Sequence, residues 1–312
     1  MSRVASLDLG THTFRLLIAE VSPPCFSTLH TERAITRLGE GLLHQKSINP
    51  RAMERGLGVV QHFAQLIKHH NVDNVYAVAT SVVREAHNGG EFIDRVYEHT
   101  GIMVRILSGF EEALLTLRGV LSVVESETEK CLVCDIGGGS TEFMLTEDST
   151  PIHIVSLNLG VVHLAERYLT ADPTDTSNLL LLRNTIRESL QHIAIPQEMI
   201  THHLAHYTLI GTAGTVTTLA AMAQKLKRYE PSKINNYCLT RETTEAIFNH
   251  LSHLPYAERR GIPGLEEGRE GVIIPGAAVV LEIMELFGFA KLTVSDAGLL
   301  EGIILDALAP RE

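Results

Sequence analysis

Positive charge is scarce in this chain: 26 lysines and arginines stand against 37 aspartates and glutamates, a formal net charge of −11 over 312 residues. Indiscriminate nucleic-acid binding needs a broad basic surface, so that class is excluded and a polyanionic ligand must meet a local cluster of cations. Cysteine is equally sparse. Four residues do not make a disulfide framework, and only Cys131 and Cys134 form a CxxC. They lie in Lys130–Ile136, which reads as a strand, where an offset of three sends the two side chains to opposite faces. A structural role is expected for both. No long hydrophobic run is present without charge: the greasiest stretch, 272–289, contains Pro275, Glu282 and Glu285 and reads as a buried helix rather than a membrane span. The apolar stretch after Arg3 is broken by Asp8 and does not read as a secretory signal, so a cytoplasmic protein is expected. Low-complexity segments and short tandem repeats are missing, and no GxxxxGKS/T motif occurs, which excludes a P-loop enzyme.

What remains is an ordinary globular composition, 45% hydrophobic and 20% charged, in a chain long enough for two domains and therefore for a cleft. An internal echo organises it. Residues 5–20 read ASLDLGTHTFRLLIAE and residues 132–147 read LVCDIGGGSTEFMLTE, with Asp8 matching Asp135. Each segment has the form of a β-hairpin with an acid at its tip and a glycine at the turn, expected there for its backbone freedom. A duplicated hairpin suggests two domains of common ancestry. Hydrophobic periodicity places helices near residues 51–70, 91–99, 111–124, 174–193, 215–226, 241–250 and 271–287. Strands are expected at Asn74–Ala79 and near 103–107, 151–157, 208–211 and 292–295. The polar run 125–130 is the expected boundary, giving domains 1–124 and 125–312, and a final helix at 299–307 could pack back onto the first domain. Strands grouped with helices imply mixed α/β sheets covered by helices.

The sharpest local signal is Asp135-Ile136-Gly137-Gly138-Gly139-Ser140. Three glycines after an apolar strand leave backbone N–H groups able to converge on an anion, and Ser140 adds a hydroxyl. On the following strand Ser140, Glu142 and Met144 share a face, so Glu142 stands beside Asp135, and two carboxylates next to a phosphate cradle suit Mg²⁺. The first hairpin supplies Gly10, Thr11 and Thr13 at the turn and Arg15 at the position equivalent to Glu142. That cation reads either as part of a site holding phosphate and metal or as an interdomain salt bridge. A third glycine-rich stretch, Gly211-Thr-Ala-Gly214-Thr215, follows a strand and opens a helix, so it either carries a nucleotide phosphate or is a glycine-assisted helix start. The pairs His69-His70 and His202-His203 with His206 lack a nearby carboxylate pattern and are not expected to hold metal.

These turns, in this order, resemble the actin, sugar-kinase and heat-shock chaperone superfamily, whose two ribonuclease-H-like domains close on phosphates. More narrowly, the chain is similar to the exopolyphosphatase and guanosine pentaphosphate phosphohydrolase family, through the Asp8-x-Gly-Thr11 turn with Arg15, ATSVVREAHN with Arg84, SGFEEA, DIGGGSTE, GTAGTVTTLA, Arg269 with IIPGAAV, and VSDAGLLEG. The resemblance implies hydrolysis of terminal phosphate from polyphosphate or guanosine pentaphosphate. It implies Glu112 as the carboxylate that activates water, with Glu111 its variable neighbour. Asp135 and Glu142, with Asp8, would organise Mg²⁺, while Gly137, Gly138, Gly139 and Ser140 cradle phosphate and Arg84 and Arg269 neutralise it. A phosphotransferase and a non-catalytic nucleotide sensor are the rival readings, and a homodimer is left open. Two departures stand out: His12 replaces an amide side chain in the first turn, and Ala213 stands where the family often has glycine. The chain resembles only the two-domain core, so low processivity is expected.

Overall fold

The computed structural model describes residues 2–125, 129–191, 193 and 206–309. The chain divides into two compact units, one of Met1–Gly119 with Gly298–Glu312 and one of Val120–Ala297. The first holds a five-stranded sheet of β1 (Ser2–Leu9), β2 (Thr13–Ser22), β3 (Cys25–Ile35), β4 (Asn74–Ala79) and β5 (Val104–Ile106), in the order β3-β2-β1-β4-β5. β1, β2 and β3 form an antiparallel meander, and β4 and β5 join parallel to β1. The second unit repeats this plan with β6 (Lys130–Ile136), β7 (Thr141–Glu147), β8 (Thr150–Leu157), β9 (Thr208–Thr212), β10 (Cys238–Thr240) and β11 (Lys291–Val294), in the order β10-β11-β9-β6-β7-β8. Apart from the added β10, strand order and direction match. Each unit therefore has the ribonuclease-H-like arrangement, and the echo of residues 5–20 in 132–147 is β1–β2 repeated as β6–β7.

Local sequence explains the elements that carry the sites. The Pro50–His69 helix starts where Asn49 accepts from the Arg51 N–H at 2.9 Å and Pro50 supplies the fixed φ of a first turn. Its apolar stripe of Met53, Leu57, Val60 and Phe63 packs on Leu7, Leu9, Phe14, Leu16 and Ile18 of β1 and β2. The opposite face of the sheet, Val4, Leu17, Ala19 and Val21, is covered by Leu300 and Ile304 of the final helix, Leu299–Leu308. Burying each of those two side chains contributes roughly 1.5–3 kcal/mol. That helix meets the Gly109–Leu121 helix backbone to backbone, because a Cβ at Gly302 would collide with Leu115 O and one at Gly119 with Gly298 O. The division between units thus falls at Gly119/Val120, ahead of the polar run 125–130, and the final helix belongs to the first unit.

In the second unit the Ile273–Leu286 helix is buried on all sides as far as Met284, and its Glu282 is held by Arg183 and Arg187 of the Thr176–Gln191 helix. Cys131 and Cys134 are buried thiols, and burial pushes the Cys134 thiol up to about 12. No helix among the described residues is long and apolar enough to cross a membrane. His202 and His203 lie outside the described residues. His70 stacks on His30, with ring centroids 5.2 Å apart, and His69 meets His70 edge-on.

Candidate active site

The two hairpin turns are built alike. In the first unit Asp8 pairs with Arg15 across β1–β2, and in the second Asp135 pairs with Glu142 across β6–β7, so the cross-strand register confirms the equivalence of Arg15 and Glu142. Neither Gly10 nor Gly137 needs a left-handed φ; each is glycine because a Cβ would press on a carbonyl three residues on, Thr13 O at 2.9 Å and Ser140 O at 3.0 Å. Room, rather than backbone freedom, requires the glycine of both turns.

Contacts from distant segments then fix which way each turn's peptides point. Val161 and Val162, the first residues of the Val161–Tyr168 helix, donate their N–H groups to Gly137 O at 3.1 Å and Gly138 O at 2.9 Å. In a trans peptide the C=O and the following N–H point in opposite directions. The N–H groups of Gly138 and Gly139 are therefore turned away from that helix, side by side, and neither donates to another backbone group among the described residues. Gly160 makes this possible: a Cβ there would collide with Gly138 O and with the backbone of Gly139. The first unit uses the same device, with Gly39 lying against Thr11, the Gly39 N–H donating to Thr11 O at 2.9 Å, and Thr36 and Arg37 both donating to His12 O at 3.0 Å. Sequence reasoning missed Gly39 and Gly160; a glycine just after a strand and just before a helix was the available signal.

Charge is distributed unequally over these frames. Asp8 is buried; its Oδ2 accepts from Arg15 Nε at 2.9 Å and Nη2 at 2.7 Å, while its Oδ1 is buried with no hydrogen-bond partner among the described residues. Glu142 is 1% exposed, and its Oε1 accepts from the Ser156 hydroxyl at 2.7 Å. Asp135 and Glu142 are neighbours in one unit and Asp8 belongs to the other, and among the described residues no group of three or more acidic, histidine or cysteine side chains is disposed to hold a metal by itself. Thr11 commits its hydroxyl to Ser81 at 2.8 Å and its methyl to Gly39, so only its backbone is offered at the turn. Ser140 is buried beside the second turn, and Thr13 is half-buried at the first.

Arg84 and Glu112 meet in the first unit, Nη1 to Oε2 at 3.3 Å, and the same Nη1 donates to Leu107 O at 2.6 Å. Glu111 has a different duty. Its Oε2 accepts from the Ser108 N–H at 2.9 Å and hydroxyl at 2.8 Å, while its own N–H donates to the Ser108 hydroxyl at 3.2 Å, a reciprocal cap on the Gly109–Leu121 helix. The hydrogen bonds from Ser108 hold the Glu111 carboxyl below its usual range.

The third glycine stretch opens the Ala213–Ala223 helix and is tightly packed. A Cβ at Gly211 would meet Leu292 at 2.9 Å, Thr215 seats its methyl on Gly276, and Gly214 makes room for the guanidinium of Arg269. Arg269 is buried and donates Nε to Glu266 at 2.8 Å. A cation at the positive end of a helix dipole is unfavourable unless anions join it, and Glu266 supplies one. Ala213 carries φ 69°, the left-handed region where glycine costs nothing and alanine is strained.

Comparison with known proteins places this architecture. The chain is 32% identical to exopolyphosphatase 2 of Mycobacterium tuberculosis, over 98% of each. It is 30% identical, over 97% of its own length, to a bifunctional 3-dehydroquinate synthase/phosphatase of Fusobacterium nucleatum, of which it spans about half, 46%. Among solved structures it resembles an exopolyphosphatase from Cytophaga hutchinsonii (TM-score 0.89, 29% identity, 98% of both chains). It also resembles the Aquifex aeolicus member of the Ppx/GppA family (TM-score 0.81, 29% identity, 98% and 97% of the two chains). The sequence profile of the Ppx/GppA phosphatase family matches residues 17–311, and with both hairpin turns and their supports in place, the chain belongs to that family.

Proposed function

We propose that this chain releases terminal orthophosphate from inorganic polyphosphate, with guanosine pentaphosphate as a second substrate, by Mg²⁺-assisted attack of water. The observation that carries the reading is the Gly137–Ser140 turn. Its carbonyls are tied back to the Val161–Tyr168 helix, so two adjacent N–H groups are presented beside two buried carboxylates. Preorganised amides of this kind stabilise charge that develops on phosphoryl oxygens, without reorganisation during the reaction. The names of the relatives favour polyphosphate as the first substrate to test.

The donor set fits a hard divalent cation. In the second unit Asp135 and Glu142 offer anionic oxygens from directly opposed positions. In the first unit, taken by itself, the buried Asp8 Oδ1, without a hydrogen-bond partner among the described residues, is the kind of atom that a cation or its bound water satisfies. When bound, Mg²⁺ supplies neutralisation of the phosphoryl oxygens. The chain's own residues do the rest. Gly138 and Gly139 orient the phosphoryl group by hydrogen bonding. Arg15, Arg84 and Arg269 offset the charge of the phosphate chain, which a protein of net charge −11 cannot do at large. Glu112, held in place by Arg84, positions water and accepts its proton at Oε2 or Oε1.

The test is phosphate release with Mg²⁺ from polyphosphates of several lengths, guanosine pentaphosphate and ATP. Release from polyphosphate and not from ATP is expected. Tight binding of one of these without release would replace the hydrolase by a sensor.

A further inference from the structure

The Ala213–Ala223 helix, which opens on the third glycine stretch, ends in a cationic loop that the chemistry above does not use. Its cap is a Schellman motif: the Lys225 N–H donates to Met222 O and the Leu226 N–H to Ala221 O, both at 3.0 Å. Lys225 holds φ 52°, the left-handed position of that motif, where glycine is the usual occupant and a residue with a Cβ is strained. Leu226 and Tyr229 pack inward on the core of the second unit, and Lys225, Lys227 and Arg228 are turned out to solvent. Among the described residues none of these three side chains has a hydrogen bond, an ion pair or a ring contact. Glu230 does not offset them, because it pairs with Lys233 at 2.8 Å. In a chain of net charge −11, three unshared cations within four residues make a local positive patch. Attraction to the helix dipole explains a cation near a helix C-terminus, but not a lysine kept at the one position where glycine would be free of strain.

Tyr229 fixes where the patch lies. Its hydroxyl donates to Asp296 Oδ1, and the Asp296 N–H donates to Asn235 Oδ1 at 2.8 Å. Asp296 stands just beyond β11, where the Ser295 N–H donates to Gly211 O at 2.9 Å and the Thr212 hydroxyl to Ala297 O at 2.9 Å. Thr212 in turn lies opposite Asp135 of β6, so the loop is anchored at the end of the sheet that carries the Gly137–Ser140 turn. β9 separates β11 from β6, which puts the anchor two strand spacings, roughly 10 Å, to the side of the Asp135 strand. A long linear polyanion seated in the turn can extend across that distance, whereas a short one ends before it.

Resting on the hydrolase reading above, we propose that Lys225, Lys227 and Arg228 form a secondary site for the distal part of a linear polyphosphate. The site raises affinity for long chains and takes no part in the transfer.

The experiment compares wild type, the triple variant Lys225→Gln/Lys227→Gln/Arg228→Gln and Lys225→Gly on long-chain polyphosphate and on tripolyphosphate. Calorimetry at several salt concentrations without Mg²⁺ gives Kd for the long chain. In the triple variant KM and Kd for the long chain should rise roughly 10-fold while kcat and the tripolyphosphate KM hold. The slope of log Kd against log salt should flatten by about 2, the effect of three cations that no longer release counterions from a linear polyanion. Lys225→Gly should raise the long-chain Kd roughly 2-fold while its unfolding midpoint holds or rises, which separates loss of charge from loss of fold. Lys291→Gln removes an exposed cation at the opposite end of β11 and should keep the wild-type Kd and slope. Equal changes for both substrates, an unchanged Kd in the triple variant, or an equal loss with Lys291→Gln would overturn the proposal. If the wild type releases no phosphate, the hydrolase reading fails, and the calorimetric arm still decides whether the patch binds a polyphosphate.

Discussion

Gly160→Ala tests the cradle without substituting any residue proposed to contact substrate. Non-bonded heavy atoms settle about 3.5 Å apart, and the new Cβ would fall short of that by roughly 1 Å from Gly138 O and from Cα and C of Gly139. All three are backbone atoms, so no rotamer change relieves the clash. Either the helix start moves off the turn, losing the Val161 and Val162 hydrogen bonds, or the turn moves as a body. Overpacking of this kind costs about 1–3 kcal/mol of stability. A displacement of about 1 Å at a positioning group costs on the order of 10² in rate. We therefore expect kcat for phosphate release to drop by about two orders of magnitude, read at a temperature where circular dichroism shows the variant folded. Gly58→Ala is the control, because nothing lies within 4 Å of a Cβ there and the residue is in the Pro50–His69 helix, where alanine is favoured by about 0.5–1 kcal/mol. A Gly160→Ala protein with lowered Tm but wild-type kcat would show that the turn's placement does not matter to the chemistry.

Glu112→Gln keeps shape and contact with Arg84 but removes the basic oxygen, so turnover should fall by roughly 10² to 10⁴ with little change in substrate affinity; Glu111→Gln, which can still cap its helix, should stay active, and the reverse ranking would reassign the base. Ala213→Gly should raise stability by roughly 0–1.5 kcal/mol, because relief of a left-handed alanine, about 1–2 kcal/mol, offsets the extra entropy of an unfolded glycine, about 0.5–1 kcal/mol; a lower unfolding midpoint would contradict the strain. The Glu111 carboxyl is lowered from 4.5, so its contribution to stability is complete above that value and is lost as pH falls through the lower folded pKa. Thermal unfolding of wild type and Glu111→Gln should accordingly differ near neutrality and converge in acid; a constant difference would remove the cap from the explanation.

Much of this was legible in the sequence. The duplicated D-x-G hairpins announced the repeated sheets, and strands Asn74–Ala79 and Lys130–Ile136 fell where apolar runs bounded by polar residues placed them. β3 was not read, because as an edge strand it alternates exposed and half-buried positions and has no apolar face to betray it. The eight-residue Val161–Tyr168 helix was missed for want of length. At the site, the chemistry of the turns could be named from residue types, but their orientation depends on Gly39 and Gly160, each of which stands beside an element, β3 or the Val161–Tyr168 helix, that was itself not read. The Ser108–Glu111 cap was present as an S-x-x-E pattern, and only the structure separates its duty from that of Glu112. The tight seats of Thr215 on Gly276 and Arg269 on Gly214 arise between segments some sixty residues apart and leave no local trace.

The return of the final helix to the first unit sets an order of events during synthesis. When residue 119 has been made, every strand of the first sheet exists, yet Val4, Leu17, Ala19 and Val21 lie bare on one face, because Leu300 and Ile304 come last. The second unit, continuous from Val120 to Ala297, has all its own strands before the first can close. Contacts between residues nearly three hundred positions apart are slow to form, and an uncovered apolar sheet face is prone to aggregate while it waits. A chain ending before Gly298 would keep that face open permanently. The final helix thus decides whether the first unit reaches its native state at all.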